Sequence, residues 1–137
     1  PGDKELKPLN YSKVATDAHV SRLKVKRCIL GTTSLLSWCL GKGQNVALVL
    51  RDVGVLLIEA QLVQMRFYSA FLRRVAGKRS HKGAAAKVLQ LLSMVVPPAV
   101  PIASLTFTGN VIIFPEFQLE FVSKTPPRNL LKSLSPP

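Results

Sequence analysis

The sequence predicts an α+β fold: one long helix packed on a small antiparallel three-stranded meander, with a short closing helix and a partly ordered tail. Three observations predict it. Apolar residues recur at helical spacing from Ser21 to Leu40 and stop at Gly41-Lys42-Gly43. Short extended runs then follow one another through Tyr68, broken by polar or glycine-bearing steps. Beyond Gly77 the chain turns first basic and then proline-rich.

Taken in order, residues 1–19 are polar and proline-bearing, with a marginal edge strand expected at Leu9–Ala15. There Leu9, Tyr11 and Lys13 alternate with Asn10, Ser12 and Val14. In the long helix, Val25, Cys28, Ile29, Thr32, Leu35, Leu36, Cys39 and Leu40 form one apolar face. Leu30 and Trp38 lie off that stripe, so a second side is expected to be covered too. Asn45–Leu50 reads as an apolar strand, and Arg51-Asp52-Val53-Gly54 interrupts it before Val55–Glu59 continues extended. Ala60-Gln61 is a short connection. In Leu62–Tyr68, Val63, Met65 and Phe67 point one way and Gln64 and Arg66 the other. Ser69 caps a closing helix over Ala70–Ala76, which Gly77 ends. Residues 20–77 are thus the expected domain. Residues 78–104 hold a basic loop and a possible helix over Ala84–Val96, stopped by Pro97-Pro98. In residues 105–137, Val111–Phe114 and Phe117–Val122 make an extended hook around Pro115-Glu116, and the composition of the rest suits disorder.

The 137 residues suffice for one domain with a core. The start at Pro1 and the end at Ser135-Pro136-Pro137 suggest an excised piece of a longer protein. No run approaches the ~20 apolar residues of a membrane span, and no signal peptide is visible. Cys28 and Cys39 stand about three turns apart on one helix, ~16 Å at 1.5 Å per residue, too far to pair. They read as small core hydrophobes in a reducing, intracellular setting.

Catalytic chemistry needs convergent polar groups, and these are missing. His19 and His81 have no ligand partner at metal spacing. The seven carboxylates are scattered. Cys39 has no base beside it in sequence, and Gly41-Lys42-Gly43 is too short for a phosphate loop. No enzyme, metal, cofactor or small-molecule substrate is expected.

The order helix, glycine turn, strand, glycine-bearing break, strand, hairpin, strand, short helix resembles the HU/IHF histone-like fold. Closer still is the second HU-like domain of the coiled-coil domain-containing protein 81 family. The carrying residues are Pro8-Leu9-Asn10-Tyr11, Gln44-Asn45-Val46, Gly54-Val55-Leu56-Leu57-Ile58 and, above all, Val63-Gln64-Met65-Arg66-Phe67-Tyr68 with Phe71-Leu72. Phe114-Pro115 with Glu120 is similar to the extended segment that follows this domain there. The resemblance implies a non-enzymatic module of a protein associated with the centrosome, the microtubule-organising centre and the cytoskeleton. It also implies a homodimer or a tandem pseudo-dimer with a second HU-like domain.

Two surfaces are candidates for contact. Arg22, Lys24, Lys26 and Arg27 cluster early in the long helix, and Arg73, Arg74, Lys78, Arg79 and Lys82 cluster after the third strand. With a formal charge of +12, these would suit an anionic partner: nucleic acid bound without sequence preference, or an acidic protein. A solvated basic surface accounts for the same residues. Cations near a helix N-terminus are disfavoured by a few tenths of a kcal/mol, which favours a functional reason for the first group. HU proteins grip DNA with a long two-stranded arm tipped by a proline wedge. Here Glu59-Ala60-Gln61 leaves no room for one. The alternative surface is the sheet edge, with Val63, Met65, Phe67, Tyr68 and Phe71 as strand-pairing or dimer contacts. These residues suit plain core as well. The favoured expectation is a protein-interaction scaffold; DNA binding, with a nuclear location, is the alternative.

Overall fold

Residues 9–15, expected as a marginal strand, are mostly helical. In the computed structural model, which describes residues 5–77, 95–96 and 100–124, helix α1 runs Tyr11–Ala18. Asn10 decides this. Its backbone is extended, and its side-chain oxygen accepts from Lys13 N–H at 3.1 Å, an N-cap that satisfies a first-turn amide. Tyr11, Val14 and Ala15 then fall at helical spacing, and Ala15 is buried. His19 ends the helix in the left-handed conformation, φ 56° and ψ 41°, its N–H bonded to the carbonyls of Ala15 and Thr16.

Helix α2, Arg22–Gly41, fulfils the expectation closely in extent. Lys24 N–H donates to Ser21 Oγ at 3.1 Å, which caps its start. At the other end Lys42 and Gln44 both donate to Cys39 O, and Gly43 turns the chain at φ 76°. The covered face is narrower than expected. Val25 and Cys39 are buried and Ile29, Thr32 and Leu36 half-buried, whereas Cys28, Leu35 and Leu40 are exposed. On the second side, expected to be covered, Leu30 is 46% and Trp38 57% exposed. Gly31 lies on the helix with no atom beyond its chain neighbours and the helix's own backbone within 4 Å of where a Cβ would sit. Gly31→Ala should therefore raise stability by about 0.5–1 kcal/mol, read from the urea midpoint. A fall instead would mean that another chain packs closely there.

Strands β1 (Val46–Leu50), β2 (Gly54–Glu59) and β3 (Leu62–Phe67) form the expected antiparallel meander, and α3 (Ser69–Gly77) closes it. The sheet has five strands, however, in the order β3-β2-β1-β4-β5. Strand β4 (Asn110–Phe114) runs parallel to β1, with Val46 opposite Ile112, and β5 (Gln118–Phe121) returns antiparallel to β4. The expected hook is therefore no appendage but two strands of the same sheet. The reason is visible in β1, whose VALVL run is apolar on both faces, as in a strand with neighbours on either side. Val46 and Ala47 have no exposed surface.

The core of this sheet is Ala47, Val55, Leu57 and Val111, covered by Ala103 from a 3-10 turn, Ile102–Leu105. Val95 bridges in parallel to Phe67, and Val96 N–H donates to Phe67 O at 2.9 Å. The rest of the expected helix over 84–96, and residues 125–137, lie outside the described residues. Contacts divide the chain into two compact units, Pro1–Trp38 and Cys39–Pro137. Among the described residues no helix is long and apolar enough to cross a membrane.

Candidate functional site

Side chains alternate between the two faces of the sheet, and register assigns each one. One face carries Ala47, Val55, Leu57, Gln64, Arg66 and Val111, against which the 3-10 turn packs. The other carries an apolar row that crosses all five strands: Val63, Ile58, Val46, Ile112 and Leu119. Val46 at its centre is buried, while Val63 and Leu119 at its ends are 60% and 67% exposed.

The expected edge contacts fall out unevenly. Val63, Met65 and Phe67 share the apolar face, as the alternation predicts. Phe71 stacks on Phe67 with ring centroids 5.6 Å apart, so α3 is fastened to β3 there. Tyr68 packs against the core cluster. Only Val63 of the five is largely exposed, because the others pack within the unit.

Main-chain direction along β3 follows from two hydrogen bonds. Tyr68 N–H donates inward to Val53 O at 2.9 Å, and Phe67 O accepts outward from Val96 N–H. Polar groups alternate between the two sides of a strand. Hence Val63 and Met65 direct their N–H and C=O groups away from β2, and no described residue pairs with them there. Beside that edge, on the core face, lies a cleft of about 130 Å³ between Leu57, Leu62, Leu105 and Phe107, with Gln64 and Arg66 in its lining. Arg66 Nε–H donates to Gln64 Oε1 at 3.2 Å.

At the far end of the same cleft is a group the sequence reading passed over. Glu59 is nine-tenths buried, and its carboxylate accepts from Phe107 N–H at 2.9 Å, from Thr108 N–H at 3.4 Å and from Asn45 Nδ2 at 3.2 Å. Asn45 Nδ2 also reaches Thr108 Oγ1 at 2.8 Å and Asn110 O at 2.9 Å. This latch joins the first three strands to the segment that forms β4. A second carboxylate repeats the device: Glu120 Oε1 accepts from Ala103 N–H at 2.7 Å and fixes the 3-10 turn. The available signal was a carboxylate ending the apolar run of β2, since a charge beside a core strand needs donors.

The basic candidates divide between the two units. Arg22, Lys24, Lys26 and Arg27 are exposed on α2, with the Arg22 guanidinium 6.0 Å from the centre of the Tyr11 ring. Arg73 and Arg74 are exposed on α3, where Arg73 donates to Ser69 Oγ and Arg74 to Asp52 O at 2.7 Å. Lys78, Arg79 and Lys82 lie outside the described residues. The β2–β3 hairpin turns on Ala60-Gln61, Ala60 having φ 53°, so the strands run straight into the turn and no arm extends from them. No three His, Cys, Asp or Glu side chains among the described residues gather at metal-binding distance.

The family model for CCDC81 eukaryotic HU domain 2 matches residues 5–79, more than half of the chain. The chain belongs to that family. The match begins before α1 and ends just after α3, so it takes in all three helices and the meander and leaves out β4 and β5. The 3-10 turn and the β4–β5 hairpin lie outside the matched residues, although the hairpin belongs to the same sheet. No solved structure matches the chain.

Proposed function

We propose that this HU-like domain is a protein-interaction and scaffold module that docks through helix α2 onto a second HU-like domain. The carrying observation is the exposure of α2. Leu23 is 55% and Leu30 46% exposed, seven residues apart on one side of the helix. Covering the exposed half of one such leucine contributes about 1 kcal/mol, so a packed helix pair gathers enough for stable association. Membership of a family in which this domain is numbered the second supports a sister domain as the partner, and we propose the centrosome as its place on the family resemblance alone. The absence of an arm on the hairpin weighs against an HU-type grip on DNA.

Sedimentation of the full chain tests this. Self-association is expected to grow over the micromolar range, with Leu30→Glu and Leu23→Glu each weakening it by about tenfold or more. A wild-type chain that stays monomeric throughout would overturn the reading. So would association that responds to Arg73→Glu and not to the leucine changes.

A further inference from the structure

We infer that the outer edge of β3 is a strand-addition site for an extended segment of a partner protein in which apolar residues alternate with carboxylates. The inference is independent of α2 and rests on three features of the edge. The first is main-chain polarity. Val63 and Met65 present N–H and C=O outward, and the next residue of that parity, Phe67, already accepts such a bond from Val96. The chain itself shows that this edge binds extended backbone.

The second is the split between faces. A strand laid beside β3 sets its side chains alternately next to Val63 and Met65 on one face and next to Gln64 and Arg66 on the other. Val63, 60% exposed, calls for an apolar neighbour. Arg66 calls for a carboxylate: among the described residues it donates to the neutral Gln64 amide, and its guanidinium suits bidentate pairing.

The third is charge. The chain carries nineteen Lys and Arg against seven Asp and Glu, so an acidic strand is drawn toward it and a basic one repelled. The carboxylate on the same face, Glu59, sits at the Leu62 end of β3, whereas Arg66 lies opposite Val55. That is four residues along the strand, about 13 Å at the usual rise, and Glu59 is held by Phe107, Thr108 and Asn45. Opposition to an incoming carboxylate at Arg66 is correspondingly small.

The test uses the full chain and a fluorescein-labelled peptide of alternating valine and glutamate, read by anisotropy at physiological salt. Two further peptides serve as controls: one with lysine in place of glutamate, and one N-methylated at alternate residues to block a single backbone edge. The valine–glutamate peptide is expected to bind about tenfold or more tighter than either control. Arg66→Glu should reverse the preference toward the lysine peptide. Arg66 is only half-buried on an edge strand, and the circular dichroism of that variant reports whether it folds. Equal binding of the N-methylated peptide would show that charge alone acts, and the strand-addition site would be wrong. Absence of binding, or an unchanged preference in a folded Arg66→Glu chain, would overturn it equally.

Discussion

Gly54→Ala is expected to be among the most damaging single-methyl additions in this protein, costing about 4 kcal/mol and leaving little folded chain at physiological temperature. Gly54 opens β2 opposite Phe67 of β3. A Cβ there would fall deep inside van der Waals contact with the Arg66 carbonyl oxygen and 2.9 Å from Phe67 Cα. These are backbone atoms, so no rotamer change relieves the overlap. Retreat of β3 is opposed on both sides. Tyr68 N–H is bonded to Val53 O next to Gly54, and Phe67 is stacked on Phe71 of α3. The measurement is a urea or thermal unfolding curve alongside Gly31→Ala, a glycine with open space around it. Opposite signs for the two changes are expected. A Gly54→Ala chain within about 1 kcal/mol of wild type would show that the β2–β3 pairing yields more easily than its register suggests.

How much of this was legible in the residues depends on the range of each interaction. Helix α2 and the meander were, because their signals are local: apolar spacing, a glycine stop, and alternation through Val63, Met65 and Phe67. Helix α1 was misread although its signal was also local. Asn10 three residues before Lys13 is an N-cap pattern, and it outweighs the weak alternation around it. The five-stranded sheet is a different case. Val46 pairs with Ile112 across sixty-six positions, and nothing near either residue announces the other. What the sequence does offer is a strand apolar on both faces, the pattern of a strand inside a sheet rather than at its edge.

The candidate contacts follow the same division. Which residues of β3 share a face was readable from alternation. Which of them remain exposed was not, since that depends on α3, on Val96 and on the 3-10 turn arriving from elsewhere in the chain. The helix face shows the converse. Leu30 and Trp38 predict a covered second side, yet they are 46% and 57% exposed.

Glu59→Ala should cost about 3 kcal/mol and should do so by detaching the β4–β5 half of the sheet. The carboxylate accepts from the N–H groups of Phe107 and Thr108 and from Asn45 Nδ2. Its removal leaves the Phe107 and Thr108 N–H groups without their acceptor at a part-buried site, while Asn45 Nδ2 keeps two others; orphaned donors cost about 1–3 kcal/mol each when water cannot reach them. The loss is directional. Asn45 also holds Thr108 and Asn110, and its carbonyl accepts from Ile112 N–H at 2.9 Å, so all these bonds join β1 and β2 to the start of β4. Hydrogen exchange should therefore rise most at Phe107, Thr108 and Ile112, and least within the β2–β3 ladder. Glu59→Gln keeps one acceptor oxygen but turns an amide N–H₂ toward donors, and should fall between wild type and Glu59→Ala. Uniform acceleration of exchange across all five strands would mean that the sheet opens as one cooperative body. Selective release would establish that the family-matched residues 5–79 carry a β1 edge that the chain covers with its own β4, and that Glu59 keeps it covered.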